Sequence, residues 1–87
     1  MVKKTVTWNS SVNFHMRPAG TFSQEMGRFS SSIRLTYGEF RADGKSMMNL
    51  MAAGIPARAQ LEVECADPDE AEALARAACL LEEELGE

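Results

Sequence analysis

The spacing of apolar residues switches repeatedly along this 87-residue chain, and that switching constrains the fold more than any other feature. A spacing of two indicates a half-buried strand, whereas spacings of three and four indicate an amphipathic helix. Alternation predicts four strands, at Val2–Trp8, Ile33–Tyr37, Phe40–Ala42 and Leu61–Cys65. Helical spacing predicts three helices, at Met16–Gly27, Met47–Ala53 and Asp67–Leu85. The expected order is βαββαβα, an α+β domain in which three helices cover one face of a four-stranded antiparallel sheet.

The last helix carries the strongest start signal. Asp67 is the expected cap, with Pro68 at the first position and Glu70 at the third. Its buried stripe is expected to consist of Ala71, Leu74, Ala75, Ala78, Leu81 and Leu85. Residues 82–87 are largely acidic and oppose the dipole at the end of the helix, so they are expected to fray.

Composition excludes several classes of protein. Residues 1–87 suffice for a single domain with one core. The net charge of −4 gives no general attraction to nucleic acid, and the sequence has neither a membrane-spanning apolar run nor the apolar segment of a signal peptide. Cys65 and Cys79 match no disulfide framework or metal-ligand spacing and are expected to be small core residues. The expectation is a cytoplasmic, reduced domain without a metal ion or cofactor.

The only histidine, His15, lies one residue before the predicted start of the first helix, and Arg17 follows two positions later. A helix N-terminus offers unpaired N–H groups and a partial positive charge, which stabilise phosphate. Arg17 can add bidentate donors, and neutral imidazole is a nucleophile near pH 7. These residues predict a site that holds an anion or a phosphoryl group at His15. A surface histidine that only caps the helix explains the same residues equally well.

The second predicted helix is unusually apolar for its length. Met47, Met48, Leu50 and Met51 cannot all face one core from so short a helix, so some of them should be exposed. Because methionine is common on surfaces that bind several partners, a partner-binding surface is favoured over methionines that fill core gaps. Ser46 is a suitable N-cap, and a phosphate on its hydroxyl would also be tolerated there, although plain capping is the commoner role.

Basic residues near these two segments are expected to form a cationic rim on an otherwise acidic protein. If Arg17, Arg28 and Lys45 gather on one side, they would steer an acidic partner surface toward it. Ordinary solvated charges are the alternative. No Ser/His/Asp set or paired-carboxylate site stands out, so the chain is expected to exchange a group with partners rather than act as a self-contained catalyst.

Two separated segments, His15–Ala19 and Gly44–Met51 with Gly54 after them, resemble the two signature sites of the HPr family. HPr proteins are the histidine-containing phosphocarriers of the bacterial phosphoenolpyruvate:sugar phosphotransferase system. The resemblance covers essentially the whole chain and implies that family's open-faced β-sandwich. The methionines at 48 and 51 look more like those of members from Gram-positive bacteria.

The resemblance also implies residue roles. His15 would accept a phosphoryl group from phosphorylated enzyme I and pass it to the IIA domains of sugar permeases, while Arg17 steadies the phosphate. Ser46 would be a regulatory site for an HPr kinase/phosphorylase, with a catabolite-control transcription factor as a further partner. The partner-binding residues would be Met16, Gly20, Gln24, Lys45, Met47, Met48 and Met51. The implied carrier is a monomer that neither binds nucleic acid directly nor inserts into a membrane.

Some positions depart from the family's usual pattern. Met16 stands where a small residue is common, Gly20 where alanine is usual and Gln24 where a basic residue is common. These changes affect the expected partner affinity more than phosphotransfer.

Two alternatives stay open, namely a regulatory module that acts through phosphorylated Ser46 as a transcriptional co-repressor, and a paralogue in a nitrogen-related phosphotransfer branch. The intact His15 argues against a purely regulatory role.

Overall fold

The computed structural model describes residues 1–86 and confirms the predicted order of elements. The strands are β1 (Val2–Thr7), β2 (Ser32–Tyr37), β3 (Phe40–Asp43) and β4 (Gln60–Ala66). The helices are α1 (Met16–Met26), α2 (Met47–Ala52) and α3 (Glu70–Cys79), and a π-helical segment, Leu80–Glu84, continues α3. The strands form one antiparallel sheet in the order β1-β4-β2-β3. Of the helices in this described part of the chain, none is long and apolar enough to cross a membrane.

The register of the sheet separates an apolar face from a polar one. Because side chains alternate across a strand, the pairs Val6–Leu61 and Leu35–Val63 lie on the covered face. That face carries the core, whose largest fully buried side chains include Trp8, Phe22, Met26, Leu50, Leu80 and Leu81. On the open face, one row alternates in charge across the four strands in the order Lys3, Glu64, Arg34 and Asp43. The predicted one-sided covering of the sheet is therefore confirmed.

Helices α1 and α2 pack against each other, which brings the two signature segments onto neighbouring elements. Gly20 lies at their contact, since a Cβ placed on it would be 3.3 Å from Met47 Sδ. Gly27 ends α1 where predicted, but with φ −61° it keeps a right-handed helical conformation. Gly54 follows α2 with φ +62°, the left-handed conformation that favours glycine after a helix.

The start of α3 differs from the prediction. The N-cap is Asp69 rather than Asp67, so Pro68 precedes the helix instead of occupying its first position. Asp67 has φ +40°, and its N–H donates to Glu70 Oε1 at 2.9 Å. The carboxylate of Asp69 accepts bonds from the Ser31 N–H at 2.9 Å and from the Ser31 hydroxyl. This contact between Asp69 and the segment before β2 determines where α3 starts. Local capping signals cannot predict that contact, because the two segments are far apart in the sequence.

The buried stripe of α3 also differs from the prediction. The residues that are buried are Ala73, Ala77, Ala78, Leu80 and Leu81. Of the expected stripe, Ala71 and Ala75 are exposed, while Leu74 and Leu85 are only half-buried. Alanines occur on several sides of this helix, and the bond from the Leu85 N–H to the Leu80 carbonyl (2.8 Å) widens its last turn. Apolar spacing alone therefore does not define one face here.

The acidic C-terminal segment does not fray as expected through residue 86. The carboxylate of Glu82 accepts the Thr7 N–H at 3.1 Å, and the Glu82 carbonyl accepts the side-chain amide of Asn9 at 3.1 Å. The Asn9 N–H donates to the Leu81 carbonyl at 3.2 Å. These contacts with the end of β1 offset the unfavourable dipole. The expectation for Glu87 lies outside the described residues.

The two cysteines have different environments. Cys65 is fully buried, as predicted, and burial raises the pKa of its thiol. Cys79 is only half-buried, so the prediction of a core residue is wrong there. Its thiol donates to Glu84 Oε2 at 3.2 Å, and this hydrogen bond raises the pKa of Cys79.

Substitution of Gly44 should destabilise the fold. The Gly44 N–H donates to the Ile33 carbonyl at 2.7 Å, and an added Cβ would lie 2.5 Å from Ile33 Cγ2. We expect Gly44→Ala to lower the free energy of unfolding by about 1–3 kcal/mol, because overpacking a buried site forces the backbone and side chains to shift. Urea denaturation monitored by the fluorescence of the buried Trp8 measures this change.

Gly20→Ala is the matched control for that substitution. Its added methyl meets only the flexible end of Met47, and alanine favours a helix over glycine. We expect the free energy of unfolding to stay equal or to rise by up to about 1 kcal/mol. Equal losses in the Gly44 and Gly20 variants would contradict the close approach of Gly44 to Ile33.

The hydrogen bonds to Asp69 should make stability depend on pH. The Ser31 hydroxyl, and after it the Ser30 N–H, lowers the pKa of the Asp69 carboxyl. Such a carboxyl contributes stability above its unfolded pKa of about 4 and loses that contribution as the pH falls further. We expect Asp69→Asn to unfold at lower urea than the parent near pH 7, and the difference to shrink toward about pH 3. Glu72→Gln, which removes an exposed carboxylate from the same first turn of α3, should lower the urea midpoint near pH 7 by less than Asp69→Asn does.

Candidate functional site

His15 is the N-cap residue of α1 and is exposed, as the sequence predicts. Its backbone is extended (φ −105°, ψ −165°), and its carbonyl accepts the Ala19 N–H at 3.0 Å. The preceding Phe14 is buried, with its ring edge-on to Trp8 at a centroid distance of 4.9 Å. Its N–H donates to the Ile55 carbonyl at 2.9 Å. The imidazole is thus presented to solvent from a backbone that is held on its N-terminal side.

The start of α1 favours an anion beside His15. Arg17 is exposed in the first turn, and Pro18 has no N–H to leave unpaired. The first-turn N–H groups of a helix have no intrahelical acceptor, and the dipole makes this end positive. No acidic residue lies in the first turn of α1 to neutralise that charge. The start of α1 can therefore bind a phosphoryl group. Both residues that the sequence singles out, His15 and Arg17, lie there.

Ser46 caps α2, as predicted, with its Oγ accepting the Asn49 N–H at 3.2 Å. The loop before it is ordered by further bonds. The Ser46 N–H donates to the Asp43 carbonyl at 3.0 Å, and Asp43 Oδ1 accepts the Lys45 N–H at 2.9 Å. Ser46 is half-buried, so its hydroxyl lies at the surface beside an organised helix start.

The methionines of α2 form an exposed apolar patch with Met16 of α1. Leu50 is fully buried, whereas Met47 and Met51 are more than a third exposed and Met48 is 74% exposed. Met16 is 61% exposed, and Gln24 is exposed on α1. The alternative in which methionines fill core gaps is therefore wrong. A surface of soft apolar side chains beside the histidine site fits a partner-binding face.

Two of the three residues predicted to form a cationic rim, Arg28 and Lys45, have partners within the protein. Arg28 pairs with Glu25 at 3.2 Å within α1. The ammonium group of Lys45 donates to the Phe29 carbonyl at 2.6 Å, beyond the end of α1. Lys45 thus connects the Ser46 loop to the α1 end, whereas the charge of Arg28 is offset by its neighbour.

Arg76 is a residue near this site that the sequence did not indicate. It lies on α3 and binds Glu25 of α1 and Glu84 of the C-terminal segment. No local pattern joins residues so far apart in the chain, so spacing could not have revealed the network. Within residues 1–86, no group of three His, Cys, Asp or Glu side chains is arranged to hold a metal ion.

Comparisons with known proteins agree with this geometry. A family model described as the phosphorylation site of the HPr component of the phosphotransferase system (PTS) matches residues 2–83. The phosphocarrier protein HPr of Treponema pallidum is 38% identical over 74 residues, which cover 85% of this chain and 84% of that protein.

Solved structures show the same fold. An HPr from Thermoanaerobacter tengcongensis superposes with a TM-score of 0.90 at 27% identity, over 97% of this chain and 94% of that one. Crh, a catabolite-repression protein of Bacillus subtilis solved as a domain-swapped dimer, superposes with a TM-score of 0.79 at 31% identity over 97% of each chain. With the family match spanning nearly the whole sequence, the chain belongs to the HPr family of PTS phosphocarrier proteins.

Proposed function

We propose that this chain carries a phosphoryl group on His15, which accepts it from phosphorylated enzyme I and passes it to IIA domains of sugar permeases. The observation that carries the proposal is the exposed imidazole at the N-cap of α1, with Arg17 in the first turn and no acidic residue there. Family membership supports the reaction and the classes of partner. We also propose that the carrier acts in the cytoplasm and is a monomer. Sedimentation analysis tests the monomeric state, since the similar protein Crh was solved as a domain-swapped dimer.

The transfer is a substitution at phosphorus. A lone pair of a neutral ring nitrogen of His15 forms a P–N bond, while the bond from phosphorus to enzyme I breaks and the leaving group keeps its electron pair. The second transfer repeats the step with His15 as the leaving group. Because the transition state is loose and charged, positioning and charge stabilisation dominate, and Arg17 and the α1 N-terminus can supply both.

The exposed methionine patch supports the docking part of the proposal. Met16 lies next to His15, and Met47, Met48 and Met51 lie on the adjoining helix. Partners that bury this patch would bring their own catalytic groups to the imidazole. Gly20, Gln24 and Lys45 are proposed to belong to the same face. The carrier would then be a substrate of its partners rather than a self-contained catalyst.

Phosphorylation of Ser46 is proposed to regulate docking. A phosphate there would add a charge of about −1.5 to −2 at the start of α2, inside the proposed partner surface. An HPr kinase/phosphorylase is the proposed modifying enzyme. Acidic partner surfaces would be repelled without a change of fold, because the N-terminus of a helix tolerates phosphate.

A second candidate function is a regulatory module that acts as a transcriptional co-repressor through phosphorylated Ser46. The similarity to Crh favours this candidate, because Crh is described as a catabolite-repression protein. The catabolite-control transcription factor would then be the main partner. Retention of both His15 and Arg17 favours the phosphocarrier.

Labelling with enzyme I and phosphoenolpyruvate tests the proposal. We expect one phosphoryl group per chain, labile in acid and stable in base as a phosphoramidate, and none on His15→Ala. Arg17→Met should accept phosphate about tenfold more slowly or worse, since a bond to a charged group is lost. Undiminished labelling of His15→Ala would place the phosphate elsewhere. Labelling of Ser46 by HPr kinase, with none from enzyme I, would favour the co-repressor.

The effect of charge at position 46 can be separated from helix capping. Ser46→Asp and Ser46→Asn both retain a side chain that caps α2, but only aspartate adds a negative charge. We expect Ser46→Asp to lower kcat/KM for phosphorylation by enzyme I by about two- to tenfold, and Ser46→Asn to stay near the parent value. Equal losses in the two variants would show that the hydroxyl, and not charge, matters for docking.

A further inference from the structure

A network of charged side chains joins three elements beside the His15 site. The Nη2 and Nε atoms of Arg76 on α3 lie 3.0 and 3.2 Å from Glu25 Oε1 on α1. The same guanidinium binds both carboxylate oxygens of Glu84, from Nη1 to Oε2 and from Nη2 to Oε1 at 3.2 Å. Hydrogen bonding to Arg76 lowers the pKa of both carboxyls, so both are ionised near neutral pH.

Glu84 lies on the side of this network that faces the phosphate-binding end of α1. It lines a shallow groove together with Arg17, Pro18, Thr21, Leu85 and Gly86. An acidic side chain and the arginine proposed to hold phosphate therefore line the same groove. Among the ion pairs within residues 1–86, however, Glu84 pairs with Arg76 and not with Arg17.

The two carboxylates would respond differently to the loss of Arg76. Glu25 also pairs with Arg28 at 3.2 Å, so it would keep a cation. Glu84 would keep the thiol of Cys79 at 3.2 Å, which is a weak and uncharged donor. Glu84 is therefore the group that would be released, and it would carry a full negative charge at the groove that it shares with Arg17.

We propose that Arg76 is a positioning residue for phosphoryl acceptance: it holds Glu84 away from Arg17 and so leaves Arg17 available to the phosphate on His15. A released Glu84 would compete with that phosphate for Arg17 and would repel the incoming group, since charges a few ångströms apart interact even in water. The proposal rests on the phosphocarrier function proposed above. It assigns Arg76 a role in the reaction without contact with the phosphoryl group.

The test compares the rate of His15 phosphorylation by enzyme I and phosphoenolpyruvate in matched variants. We expect Arg76→Met to lower kcat/KM about two- to fivefold, the range of one exposed charge pair. Adding Glu84→Gln should restore the parent rate, whereas adding Glu25→Gln should not. Both double variants lose Arg76 and one carboxylate, so only the position of the carboxylate differs. Added salt should reduce the deficit of Arg76→Met, because it screens exposed charges.

Urea denaturation of each variant separates loss of fold from loss of positioning. If Arg76→Met does not fold, Arg76→Lys replaces it, since lysine lacks the bidentate hold on Glu84. That variant should show a smaller deficit, again rescued by Glu84→Gln. Parent-like rates in the folded Arg76 variant, or equal rescue by Glu84→Gln and Glu25→Gln, would overturn the proposal. If the parent chain takes no label on His15, the phosphocarrier function itself fails and the role of Arg76 falls with it.

Discussion

Burial of Phe14 against Trp8 is the contact on which the position of the reactive histidine depends. The ring of Phe14 also lies edge-on to Phe22 of α1 at a centroid distance of 6.2 Å, so Phe14 connects the residue that follows β1 to the helix. Because His15 is the next residue and occupies the N-cap position of α1, this aromatic contact determines where the helix begins and from where the imidazole projects. The partial positive charge of a helix N-terminus can stabilise a bound phosphate only if that end of the helix has a fixed position. Here the packing of the core fixes it.

The distribution of charge matters more than its total. The chain has a net charge of −4, yet the first turn of α1 contains no acidic residue. Three acidic side chains elsewhere are held by specific partners: Glu25 and Glu84 by Arg76, and Glu82 by the Thr7 N–H. An acidic protein can therefore offer a positive site to phosphate, while the exposed methionines next to it present an apolar surface to partners.

Much of the fold and the centre of the candidate site could be predicted because their determinants are local. Alternation along β1 and β4 identified the buried faces, and the capping positions of His15 and Ser46 followed from the residues around them. That some side chains of α2 are exposed followed from geometry, since so short a helix cannot turn all its apolar residues toward one core, and of these residues Leu50 is the one that is fully buried. Periodicity and caps act within a few residues, so a sequence displays them directly.

What the sequence by itself determined, then, is the order of elements, the two helix starts at His15 and Ser46 and the apolar character of α2. Only the tertiary structure decided that α3 begins at Asp69 and that Arg76 draws Glu84 and Glu25 together. The physical reason is the distance along the sequence between the residues that interact. Alanines on several sides of α3 define no single face, and charged side chains can pair with many others, so these choices are made by segments that meet only when the sheet and helices pack.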